Sequence, residues 1–146
     1  MRLFSLVLLS TLTFGIYSVN THADSMALYE VPEILDCQTR HKKVSSYSSC
    51  LDSVITKFHR ELVTWESNIE IKLNGTNEFN NKNEAIFVFK KSKKDFEDYR
   101  SRNCNWQYLA ALPDVSSAGI INKECNINMT ITRINSLKEI SAFNFD

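Results

Sequence analysis

The chain has 146 residues, 43% apolar and 23% charged, enough for one domain and too few for two ordinary ones. Seventeen basic residues balance seventeen acidic ones, so net charge lends no support to nucleic-acid binding. Three Gly and two Pro argue against collagen-like or linker-rich architectures, while nine Phe, five Tyr and two Trp supply the apolar mass of a folded core.

Residues 1–23 read as an export signal. Arg2 is followed by an apolar run from Leu3 through Tyr17, and Thr21-His22-Ala23 puts a small residue at the cleavage position. The run is short for a membrane span, which needs about 20 residues; an uncleaved anchor is the alternative. The expected mature chain starts near Asp24, has no membrane span, and is periplasmic or secreted. Without Arg2 it carries sixteen basic and seventeen acidic residues, a net charge of −1.

Residues 24–36 are expected to form an irregular lead-in, with Pro32 limiting regular structure, and a short helix or turn is expected over 37–43. A helical domain is expected over 37–142. A serine-rich patch, 45–49, precedes Cys50. Leu51, Val54, Ile55, Phe58, Leu62, Trp65, Ile69 and Leu73 then recur in steps of three and four, which predicts one apolar helical face. Asp52, Lys57, Arg60, Glu61 and Lys72 fall opposite, and Asn74-Gly75 is the expected stop. Glu66 and Glu70, four apart, are expected to face water.

An Asn-rich connection spans 74–83, with Asn83 as the expected cap of a second helix. That helix would use Ala85, Val88, Phe89, Ser92, Phe96, Tyr99 and Asn103. Its basic run Lys90-Lys91-Ser92-Lys93-Lys94 is answered by Asp95, Glu97 and Asp98, and so reads as a solvated face. Residues 105–119 are expected to form a second connection. A third helix would bury Ile121, Cys125, Ile127, Ile131, Ile134, Leu137 and Ile140 or Ser141. The fold class expected is all-α, a small antiparallel helical bundle.

The four Cys all lie beyond the export signal. The spacings C-x12-C and C-x20-C lack the paired knuckles of a zinc site and point to two disulfides. Of three possible pairings, Cys37–Cys50 and Cys104–Cys125 join nearest neighbours and would each staple a chain reversal. Bridges of that span contribute about 3 kcal/mol each in the loop-entropy description, against a typical domain stability of about 5–15 kcal/mol.

Catalytic signals are sparse. His41 and His59 form no zinc-binding pair, there is no G-x-S-x-G elbow, and no Gly-rich loop exists to cradle phosphate. The expectation is a non-enzymatic chain with no catalytic residue, metal or cofactor. The sequons at Asn74 and Asn128 read as chance. Trp106 and Tyr108, in the connection that a Cys104–Cys125 bridge would close, are candidate partner contacts together with Asp114. The alternative is that both rings cap the bundle end as core residues.

The segment Phe96-Glu97-Asp98-Tyr99-Arg100-Ser101-Arg102-Asn103-Cys104 resembles the W-x-x-[YF]-R-[DN]-x-x-C segment of the LprI-like lysozyme-inhibitor family. Cys125-x4-Thr130-x2-Arg133-x3-Leu137 is similar to that family's closing C-x4-T-x2-R-x3-L helix, and Cys37…Cys50 ahead of a long amphipathic helix fits its opening. Phe96 stands where the family usually has Trp, and Ser101 where it usually has Asp. The resemblance, over about residues 35–140, implies an exported disulfide-bonded helical domain that blocks a lysozyme-type muramidase by occluding its cleft. A non-inhibitory envelope interaction or assembly protein on the same scaffold is the alternative. Phe96, Tyr99, Arg100 and Arg133 carry the resemblance and are expected to be structural, the arginines bonding carboxylates or helix-end carbonyls near the bridge.

Overall fold

The computed structural model describes residues 31–75 and 81–142. Residues 1–23, read from the sequence as an export signal, residues 24–30 of the expected lead-in and residues 76–80 of the Asn-rich connection lie outside the described residues. Among the described residues there are four helices and no strand: α1 (Pro32–Arg40), α2 (Val44–Gly75), α3 (Lys82–Ala110) and α4 (Val115–Ser141). No helix among them is long and apolar enough to cross a membrane.

α2, α3 and α4 run up, down and up. Lys82 Nζ donates to the Asn74 carbonyl and Arg100 Nη1 to Thr130 Oγ1, so α3 is antiparallel to both neighbours. Lys123 reaches Asp52 at 2.7 Å and Lys138 reaches Glu61 at 2.8 Å, so α2 and α4 run parallel, as up-down-up order requires. α1 folds back along the start of α2, fixed by the Cys37–Cys50 bridge and a 2.6 Å ion pair from Lys57 to Glu33.

The core lies mainly between α2 and α4. Leu51, Phe58, Leu62, Ile69 and Leu73 of α2 meet Ile127, Ile134 and Leu137 of α4, with Val31 and Ile34 closing the α1 end. α3 contributes one fully buried side chain, Cys104, and covers the core with half-buried Ala85, Ile86, Phe89 and Phe96. Val88 and Tyr99, expected on its inner face, are exposed. On α4, Ile121 and Ile140 are exposed, and Ile120 packs on the core instead.

Several boundaries differ from the sequence reading. Pro32 opens α1 rather than limiting it, because the first turn of a helix needs no N–H from that position. The lead-in is therefore helical from residue 32. The serine patch belongs to the first turns of α2, where Ser46 and Ser49 hydroxyls donate back to Lys43 and Ser45 carbonyls. Gly75 is the last residue of α2 and has no positive φ. Asn81, not Asn83, precedes α3, and its side chain makes no capping bond.

Both bridges join sequence neighbours, with Cα–Cα distances of 5.8 Å for Cys37–Cys50 and 5.6 Å for Cys104–Cys125. All four cysteines are thereby used. Two structural disulfides fit an oxidising, non-cytoplasmic environment.

Candidate functional site

The largest departure from the expected layout is at residues 105–119. α3 continues through Ala110 and α4 starts at Val115, so the expected connection shrinks to a turn of four residues. Trp106 and Tyr108 are helical, not loop residues. Two positions apart on a helix, they point to different faces and cannot form one contact patch. Trp106 is 58% exposed, whereas Tyr108 is half-buried.

Asp114 is the N-cap of α4. Its Oδ1 accepts from the Ser116 and Ser117 backbone N–H groups at 3.1 Å, and its Oδ2 accepts from the Ser117 hydroxyl at 2.6 Å. The bonds from Ser117 hold its carboxyl below the usual carboxylate value. This carboxylate is committed to starting a helix rich in β-branched residues, which need the support.

The α3–α4 hairpin tip has a distinct surface. From Asn103 to Asn122, Asp114 is the sole charged residue. Trp106, Leu109, Leu112, Val115 and Ile121 are all exposed there. Tyr47 donates to Glu124, and Lys123 donates to Ser48 and Asp52, so the start of α2 lies level with the middle of the first half of α4. Counting residues to each helix start, α4 begins about 5 Å beyond α2 at the usual helical rise. The Cys104–Cys125 bridge clamps the hairpin behind this tip.

Behind the bridge, two guanidinium groups lie over the Phe96 ring, Arg100 at 5.4 Å and Arg133 at 5.6 Å from its centre. Arg100 Nη1 donates to Thr130 Oγ1 at 2.8 Å, and Thr130 donates on to the Asn126 carbonyl at 2.7 Å. Arg133 Nη2 donates to Ser92 Oγ at 3.1 Å. Both arginines thus reach hydroxyls on the facing helix, rather than carboxylates or helix-end carbonyls. Tyr99 stands apart from these contacts, 57% exposed.

The sequence reading missed an interior charge cluster. Glu66 is only 5% exposed, and Lys93 sits 3.5 Å from it and 2.8 Å from half-buried Glu70. These glutamates therefore do not simply face water. Glu66 lies four residues after Leu62 and three before Ile69, so its place on the apolar face was available from spacing alone. Burial pushes the Glu66 carboxyl above its usual value despite Lys93 and Arg133, with Glu97 adding to the rise. Lys93 is raised first by its bond to Glu70, its closer partner. His59 is exposed and His41 half-buried. Among the described residues, no group of three or more His, Cys, Asp or Glu is placed to hold a metal ion.

Compared with protein-family models, curated proteins and solved structures, the chain matches none.

Proposed function

We propose that this chain is an exported, non-enzymatic binding protein of the periplasm or exterior that inhibits a lysozyme-type muramidase by lodging the α3–α4 tip in its cleft. The observation that carries the reading is the tip itself: an exposed apolar surface of Trp106, Leu109, Leu112 and Val115 on a hairpin clamped by Cys104–Cys125. A covalently clamped tip loses little freedom on binding, and a Trp with flanking aliphatic groups is a common anchor. The resemblance of residues 96–137 to the LprI-like family supplies the partner class. Trp106 keeps its place among the proposed contacts. Tyr108 and Asp114 act behind it, one supporting the helix and the other starting α4.

No bond is made or broken in this mechanism: the tip excludes the glycan substrate. Titrating a muramidase with oxidised protein in a cell-wall turbidity assay should give saturable inhibition. Trp106→Ala with Leu109→Ala should weaken it at least about tenfold while helical content is retained. Equal inhibition by the folded double variant would remove the tip from the mechanism. The second reading is a non-inhibitory envelope interaction through the same tip. It is favoured by the tip's lack of free acidic groups, which a basic muramidase would reward. Capture of an envelope protein with no effect on muramidase turnover would select it.

A further inference from the structure

Of the three methionines in the chain, Met1 and Met26 lie outside the described residues, and Met129 of α4 lies within them. All four cysteines are bonded, so Met129 carries the one sulfur among the described residues that is not already in a bridge. It is half-buried and lines an open groove of about 490 Å³ between α3 and α4, together with Phe96, Asn103 and Arg133. A small oxidant can therefore reach the sulfur without opening the bundle, and access governs how readily a thioether is oxidised.

Asn103 Nδ2 donates to Met129 Sδ at 3.2 Å, and the bridge sulfur of Cys104 lies 3.7 Å from the same atom. At its other end, the Asn103 amide oxygen accepts from Trp106 Nε1 at 3.1 Å. An indole N–H only donates, which fixes the amide with its oxygen toward Trp106 and its nitrogen toward the sulfur. Asn103 thus ties Met129 of α4 to exposed Trp106 of α3. Arg133 stands one turn after Met129 on α4, where residues four apart are neighbours. Its Nε is buried and has no hydrogen-bond partner among the described residues. A thioether is a weak acceptor, whereas oxidation makes the same side chain polar and gives it an oxygen that can accept both donors.

We propose that Met129 is a modification site for peroxide-class oxidants, and that its sulfoxide, accepting from Asn103 Nδ2 and Arg133 Nε, draws Asn103 away from Trp106. A sulfur lone pair attacks one peroxide oxygen. The S–O bond forms, the O–O bond breaks, sulfur gives up two electrons, and the second oxygen leaves as water after proton transfer. The 3.2 Å gap between Sδ and Nδ2 holds no added oxygen, because an N–H···O bond alone takes about 2.9 Å. The amide swings to follow the new acceptor, and the indole N–H is left to water. In an apolar core the added oxygen would lack a donor and disrupt the packing; here it meets one that has no acceptor, so the fold tolerates it. This inference does not depend on what the tip binds.

The test is treatment of the disulfide-bonded full chain with hydrogen peroxide, beside N-acetylmethionine amide as a freely accessible reference, followed by peptide mass mapping. Met129 should gain one oxygen no more than about tenfold more slowly than the reference. Far-ultraviolet circular dichroism should stay unchanged, and tryptophan emission should move to longer wavelength. That shift should be absent from Met129→Leu and from Trp106→Phe. Leu conserves the volume of Met, and Trp106 is 58% exposed, so both variants fold, which the same dichroism verifies. Oxidation of Met129 slower than that limit, loss of helical signal on oxidation, an emission maximum that does not move to longer wavelength, or a shift that survives in either folded variant overturns the proposal.

Discussion

Glu66 concentrates the residue-scale physics of this bundle. A carboxylate at 5% exposure costs desolvation, and Lys93 at 3.5 Å offsets only part of it because its shorter bond goes to Glu70. A carboxyl raised by burial contributes stability fully below its unfolded value and loses that contribution as pH rises through its folded value. The group therefore favours mildly acidic conditions, over a window that opens upward from the ordinary 4.5. Glu66→Gln should stabilise the protein by about 1 kcal/mol at neutral pH, and the gain should shrink as pH falls through the raised Glu66 value. Urea unfolding at two pH values measures this; a Gln variant weaker at neutral pH would mean that the Lys93 pairing outweighs desolvation. Lys93→Met should instead cost about 3 kcal/mol, by stranding Glu66 and Glu70 together.

Among the elements, α3 is held differently from the others. α2 and α4 bury Leu62, Ile69, Ile127, Ile134 and Leu137 between them, whereas α3 buries only Cys104 completely. Its grip comes from half-buried Phe89 and Phe96, the Arg100 and Arg133 bonds to hydroxyls, the Lys93 ion pairs and the Cys104–Cys125 bridge. Replacing Cys104 and Cys125 with Ala should therefore lower stability by about 3 kcal/mol and raise amide exchange first in the last turns of α3. Replacing Cys37 and Cys50 should cost a similar amount but loosen α1, leaving the hairpin protected. Exchange that rises uniformly in both variants would show that the bundle opens only as a unit.

At the scale of the whole molecule, acidic and basic residues are mixed along the described helices except at the tip, where Asp114 is the single charge from residue 103 to 122 and is bound to backbone and hydroxyl donors. Attraction there is hydrophobic, and the near-neutral chain provides little long-range steering. Inhibition constants measured at about 0.05 M and about 0.3 M salt should accordingly differ by less than about twofold. A tenfold loss would place the contact on the charged flanks of the helices instead of the tip.

The apolar spacing of α2 and the two cysteine intervals determined the all-α class, the central helix and the stapled reversals, because both are local: period and loop length act along the chain. Where Glu66 sits was also local information, carried by Leu62 and Ile69. The course of residues 105–119 was not. Asn, Ser, Ala and Gly there are compatible with either a loop or helix ends, and continuation of α3 depends on its bridge and its packing against α4. That choice put Trp106 and Tyr108 on different faces and turned Asp114 into a cap. The tip and the contacts of Arg100 and Arg133 with Phe96 exist only once antiparallel packing fixes which side of α3 meets α4, a relation between segments as much as 41 residues apart that no local pattern encodes.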